Sequence, residues 1–182
     1  MNRKKAFSWF KKASDLNISE GTFRLSRCFK FGHGVEQNIA ESIKLLRKAA
    51  QLENPGAMNS LGVLYEKGVH VKKDVGQAFQ YYQKAYSLGS SSAKINLGVM
   101  YCNGTGVKQD CKKAFELFQC SSWVSNSTAF EHLIYCYTNG IGTEQSLSSA
   151  NRFKVKLKKL EGCESKDCLD RRGLRCPSIF RS

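Results

Sequence analysis

Residues 59–85 read NSLGVLYEKGVHVKKDVGQAFQYYQKA, and residues 95–121 read INLGVMYCNGTGVKQDCKKAFELFQCS. The two stretches match at an offset of 36 residues, and the same offset extends outward in both directions without an insertion. Leu25, Leu61, Leu97 and Leu133 fall in one column, and Phe29, Tyr65, Tyr101 and Tyr137 in the next. Gly32, Gly68, Gly104 and Gly140 follow, then Ser42, Ala78, Ala114 and Ala150, then Leu46, Tyr82 and Phe118. Stepping back from Ser42 lands on Ala6, with Phe7, Phe10, Lys12 and Ala13 matching the equivalent segment. Repeats of this length mark architectures in which each unit must stack on its neighbours to cover its apolar face.

Each unit reads as two helices. In the second, Ala57, Met58, Leu61, Gly62, Leu64 and Tyr65 share one side of a helical wheel. Gly68 stops that helix, because glycine takes the left-handed conformation without steric cost. Asp74 opens the next helix, with Gln77 at capping-box spacing, and Val75, Ala78, Tyr82 and Ala85 form its buried stripe. The small residues Gly62, Gly98, Ala78 and Ala114 mark where helices come close.

These residues resemble the Sel-1-like repeat family, a relative of the tetratricopeptide repeats. The family pattern runs Ala, Leu-Gly, Tyr, a Gly-x-Gly-Val loop, Asp, and a Lys-Ala-x-x-x-Tyr helix. The second and third units carry it at Ala57 to Ala85 and Ala93 to Phe118. The first and fourth depart from it, with Ser26 and Ile134 in the first glycine column and Lys154 in the Tyr82 column. His70 stands at the second loop glycine, where a left-handed histidine is costly, so a differently bent loop is expected there. The resemblance covers roughly residues 4–160 and implies an all-α fold, an α/α solenoid of helix-turn-helix repeats with a 36-residue period.

The expected organisation is a second helix of an incomplete repeat at 1–17, a degenerate repeat at 18–53, repeats at 54–89 and 90–125, a degenerate repeat at 126–160, and a basic Cys-containing tail at 161–182. Starting on a half repeat leaves an apolar face to be covered, by a partner or by the rest of a longer protein.

The net charge of +14 suggests nucleic acid until it is mapped. Residues 1–50 hold 11 basic against 4 acidic side chains, residues 51–150 hold 8 against 7, and residues 151–182 hold 10 against 4. A basic excess at the two ends does not make the continuous basic face that tracks a phosphate backbone, so nucleic acid is not the expected partner. An acidic protein or a membrane surface suits the charge better. No apolar run reaches the roughly 18 residues of a membrane span.

The eight cysteines follow the repeat frame. Cys28 and Cys136 share the column of Leu64 and Met100, and Cys111 that of Ile39, Val75 and Leu147, so all three read as small core hydrophobes. Cys102 and Cys120 fall in columns holding Lys30, Glu66 and Thr138, and Lys48 and Lys84, and read as surface thiols. The resemblance includes disulfide-rich bacterial members, but no column of cysteine pairs exists here. Cys163, Cys168 and Cys176 lack the fourth ligand of a structural zinc site, and their tail reads as disordered, lipidated or oxidisable. No metal or other cofactor is expected.

His33, His70 and His132 have no carboxylate or cysteine at catalytic spacing, and the glycines form no phosphate loop. An enzyme is not expected, and no catalytic residue is assigned. The acceptor triplets at Asn17, Asn103 and Asn126 are read as chance, since the opening residues do not form a secretory signal. MNRKKAFSWFKK is similar to a mitochondrial targeting helix, yet its apolar residues match the repeat register. A cytoplasmic location is expected, with mitochondrion or endoplasmic reticulum requiring an upstream signal.

The resemblance places first helices on an inner surface. There the column Arg27, Val63, Val99 and Tyr135, with its neighbour Phe23, Asn59, Ile95 and Glu131, faces away from the core. Apolar residues on such a face need a purpose. The expected function is a non-catalytic scaffold or adaptor that binds a partner protein or peptide segment, acidic at one end, along these eight residues. Alternatives are a quality-control adaptor of endoplasmic-reticulum-associated degradation and a regulatory repeat segment of a larger enzyme such as a kinase.

Overall fold

In the computed structural model, which describes residues 2–122 and 127–160, every regular element among those residues is an α-helix. The first helices of the repeats are α2 (Ser19–Phe31), α4 (Pro55–Lys67), α6 (Ser91–Asn103) and α8 (Ser127–Asn139). The second helices are α1 (Arg3–Asp15), α3 (Ile39–Gln51), α5 (Val75–Ser87), α7 (Cys111–Ser122) and α9 (Leu147–Leu160). Both series begin at intervals of 36 residues, as the columns predict. The chain divides into two compact units, one ending at Ala93 and one beginning at Lys94, so the division falls in the first turn of α6.

The second helices start on side-chain caps. Asn38 Oδ1 accepts from the Glu41 amide at 3.0 Å, Asp74 Oδ1 from Gln77 at 2.9 Å, and Asp110 Oδ1 from Lys113 at 2.9 Å. Ser146 does the same for Ser149 at 3.3 Å. Each such cap contributes about 1 kcal/mol by satisfying an otherwise orphaned helix amide. The capping residue also ties the loop to the preceding helix. The amides of Asn38, Asp74, Asp110 and Ser146 donate to the carbonyls of Phe29, Tyr65, Tyr101 and Tyr137 at 2.8–2.9 Å. A glutamine just before the cap adds a second strut: Gln37, Gln109 and Gln145 donate to the carbonyls of Lys30, Cys102 and Thr138 at 2.7–2.8 Å. These pins fix where each loop lies and which way the paired helices face.

In the first unit the buried core comprises Leu25, Leu45, Leu46, Ala49, Leu61, Ala78, Tyr82 and Ala85. In the second it comprises Leu97, Met100, Ala114, Phe118, Phe130, Leu133, Ile134, Ala150 and Leu157. The glycine of the Leu-Gly pair has a mechanical role. A Cβ on Gly62 would stand 2.5 Å from Cε1 of Tyr82, and one on Gly98 would stand 2.6 Å from Cε1 of Phe118. The ring of the second helix therefore lies flat on the bare backbone of the first. Tyr82 is completely buried, and its hydroxyl donates to Glu66 Oε2 at 2.6 Å, which satisfies the one polar atom the ring carries inward. Burial and the adjacent Glu66 carboxylate push the Tyr82 phenol well above the usual tyrosine range.

In the degenerate fourth repeat the ring position is Lys154 and the glycine position is Ile134, which packs with Phe130, Leu157 and Phe153. His70 keeps the left-handed conformation of its column, with φ 60° beside 80°, 70° and 69° at Gly34, Gly106 and Gly142. The loop is thus not re-bent at this residue, contrary to expectation, and the consequence of the side chain lies elsewhere.

Candidate interaction surface

Of the eight residues expected on the inner faces, four belong to the first unit and meet in a single groove. Phe23 and Arg27 on α2 and Asn59 and Val63 on α4 line it together with Ile39, Ile43 and Leu46 of α3, and Val69 and His70 of the following loop. Its volume is about 460 Å³. Phe23 sits against α4 because Gly56 carries no side chain, a Cβ there standing 2.7 Å from the ring. Val63 is half-buried and Arg27 exposed. The mouth is apolar and open: Phe31 is 51% exposed and Val69 44%. Lys30 lies at the same mouth with its ammonium 5.3 Å from the Phe31 ring centre, and no aspartate or glutamate lines the groove.

In the second unit Val99, Glu131 and Tyr135 are half-buried. Ile95 is a correction. It is only 6% exposed, so it belongs to the interior and not to an accessible face. Cys102, two helical turns further along α6, is likewise buried at 4% and is not the surface thiol expected. Both errors share a cause. Helix α6 buries Ala93, Ile95, Leu97, Met100, Tyr101 and Cys102, and what it leaves to water is a strip through Ser92, Asn96, Val99 and Asn103 that excludes both Ile95 and Cys102. Exposure does not carry over along a column when the neighbouring side chains change.

The other thiols divide as follows. Cys28 and Cys136 are core residues, as their column predicts, and Cys120 is exposed. Cys111, expected in the core, is only partly buried at the start of α7, with its Sγ 4.0 Å from the Cys102 carbonyl. Burial, with the Cys111 thiol beside it, pushes the Cys102 thiol up to about 11; burial likewise takes Cys136 up to about 12. Since the thiolate is the nucleophile, Cys120 should alkylate fastest of the described cysteines in the folded, reduced protein, with Cys102 and Cys136 far slower. Peptide mass spectrometry after timed iodoacetamide exposure measures this, and equal rates at Cys102 and Cys120 would mean that the α6 face is open. Cys163, Cys168, Cys176 and the Asn126 triplet lie outside the described residues.

Among the described residues, no group of three or more His, Cys, Asp or Glu side chains could hold a metal ion. No helix among them is long and apolar enough to cross a membrane. His132 is fully interior, stacked on Phe118 at 4.5 Å between ring centres, and burial pushes its pKa down to about 4.

Residues 2–18, 19–54, 55–90, 91–122 and 129–153 each match the Sel1 repeat. The chain belongs to the Sel1 repeat family. It is similar to a Sel1 repeat protein of Oxalobacter formigenes, with 34% identity, a TM-score of 0.79, and coverage of 87% of this chain and 64% of that one. It also resembles a protective antigen of uropathogenic Escherichia coli displaying an SLR fold, with 27% identity, a TM-score of 0.75, and coverage of 86% and 34%. In sequence, 65 residues are 35% identical to chitin synthase regulatory factor 2 of Schizosaccharomyces pombe, which is 36% of this chain and 13% of that protein. The chain thus spans less than two thirds of each of these relatives. Sel1 repeat proteins are generally protein-interaction scaffolds, and this chain has their all-α helical-repeat fold.

The sequence reading missed Lys30, Phe31, Ile39, Ile43, Val69 and His70 as groove residues. They come from the end of α2, from α3 and from a loop, and no single helix column contains them. The one available signal was His70 in a glycine column.

Proposed function

We propose that this chain is a non-catalytic scaffold that holds a partner segment on the exposed faces of its first helices. The contacts assigned are Phe23, Arg27, Asn59 and Val63 in the first unit and Val99, Glu131 and Tyr135 in the second. The observation that carries this reading is Val63, an apolar side chain left half-open on α4 within a groove whose mouth exposes Phe31 and Val69. Leaving apolar area in water forfeits roughly 25 cal/mol per Å², and a partner's apolar side chain recovers it. The partner class follows from the charge: Arg27 and Lys30 at the groove favour acidic residues beside the anchor.

A regulatory role toward an enzyme is the second reading. It is supported by the 65-residue similarity to a chitin synthase regulatory factor, and in it the held segment belongs to the regulated enzyme or its partner.

Val63→Asp combined with Val99→Asp tests the scaffold reading. Proteins retained by the immobilised wild-type chain should be lost from the double variant, while helicity and melting temperature stay nearly unchanged. An identical retained set on both would sink the proposal, and an unfolded variant would show that the column is core.

A further inference from the structure

The groove between α2, α3 and α4 is lined at one end by His70, the one departure from glycine in its loop column. In two other loops the second loop glycine lies directly on the first residue of a second helix 31 positions earlier. A Cβ on Gly34 would run into the carbonyl oxygen of Arg3, and one on Gly142 into that of Cys111. The same step from His70 leads to Ile39. His70 holds the left-handed conformation of its column but carries a side chain, and a Cβ excludes the contact that the glycines make. Ile39, Val69 and His70 are instead found lining the groove.

We infer that this groove is an anchor site for an acidic, extended peptide segment bearing one or two apolar side chains, and that His70 creates it. The inference rests on the scaffold reading for its partner being a protein, and narrows that partner's chemistry. A volume of about 460 Å³ lies within the ligand-pocket range of roughly 300–1,000 Å³, which suits short side-chain anchors and not the flank of a whole helix. The apolar contact comes from Phe31, Val63 and Val69. The charge comes from Arg27 and Lys30, opposed by no carboxylate in the lining, and Arg27 forms no ion pair among the described residues. Two cations beside an apolar slot with no internal counter-ion are complementary to carboxylates flanking an apolar anchor.

The probe is a fluorescein-labelled hexapeptide, Glu-Asp-Leu-Phe-Asp-Glu, with a control in which the four acids are lysines. Fluorescence anisotropy with the full chain should show the acidic peptide binding about tenfold or more tightly than the control, with the difference shrinking at high salt. His70→Gly restores the repeat's glycine and lets the loop close. It should weaken acidic-peptide binding about tenfold while the melting temperature holds or rises. Phe31→Asp, at an exposed lining residue, gives the same readout should the loop variant not fold. Lys112→Glu, at an exposed cation of the other unit, should leave peptide binding unchanged. Binding of neither peptide, equal binding of both, or wild-type affinity in His70→Gly and Phe31→Asp would each overturn the inference. Equal loss in Lys112→Glu would place the peptide elsewhere and sink the groove while sparing the scaffold. Conversely, if His70→Gly loses the peptide while the Val63→Asp, Val99→Asp variant keeps its partners, the groove stands and the scaffold reading fails.

Discussion

Leu61→Ala is expected to lower the unfolding free energy by about 2–5 kcal/mol, whereas Lys84→Ala should change it by less than about 0.5 kcal/mol. Leu61 is fully buried on α4, one residue before the glycine that receives the Tyr82 ring. Removing its isobutyl group forfeits transfer free energy and leaves a cavity. The rigid seat of Tyr82 on bare backbone limits how far α4 and α5 can collapse to fill it. Lys84 lies exposed on α5, and its truncation uncovers nothing. A domain is stabilised by only about 5–15 kcal/mol in total, so the Leu61 change removes a large fraction. Urea midpoints for the two variants measure the contrast. Equal shifts would mean that the 36-residue columns do not report burial.

The fold was legible because each repeat solves the same problem with the same side chains. Leucine and aromatic columns mark the stripes two helices bury against each other, the Leu-Gly pair marks where a ring needs bare backbone, and Asp74 marks a helix start. What could not be read from columns was the environment of α6. Val63 and Val99 share a column and a half-buried state, yet Asn59 and Ile95 share a column and differ, because the strip α6 leaves to water runs through Ser92, Asn96, Val99 and Asn103 and excludes Ile95. Ser92, Asn96 and Asn103, spaced four and seven residues apart on one face of the helix, already carried that information. The groove was half legible: Phe23, Arg27, Asn59 and Val63 recur in register on first helices, but its α3 and loop walls meet them only in three dimensions. His70 was noticed as a conformational cost. Its effect is on packing, since the backbone angle is kept and the close approach is excluded.

His132 should make the second unit lose stability as the pH falls through mild acidity. The unfolded chain carries a histidine with a pKa near 6.5, whereas the folded group, buried against Phe118, is held down to about 4. Between those values the unfolded state takes up a proton that the native state refuses. The stabilisation from keeping the ring neutral is therefore complete above about pH 6.5, and is lost progressively as pH falls toward about 4, below which the native ring is also protonated. The slope approaches about 1.4 kcal/mol per pH unit, and the whole window amounts to about 3 kcal/mol. The cleanest range is about pH 6.5 to 5, before the carboxylates begin to titrate. His132→Phe keeps an aromatic ring against Phe118 and removes the titrating group. Its unfolding free energy, from urea titrations at matched ionic strength, should fall less over that range than the wild type's, by about 1–2 kcal/mol. Parallel pH profiles for the two proteins would mean that water reaches the His132 ring in the native state and that the α7–α8 packing is looser than its buried position implies.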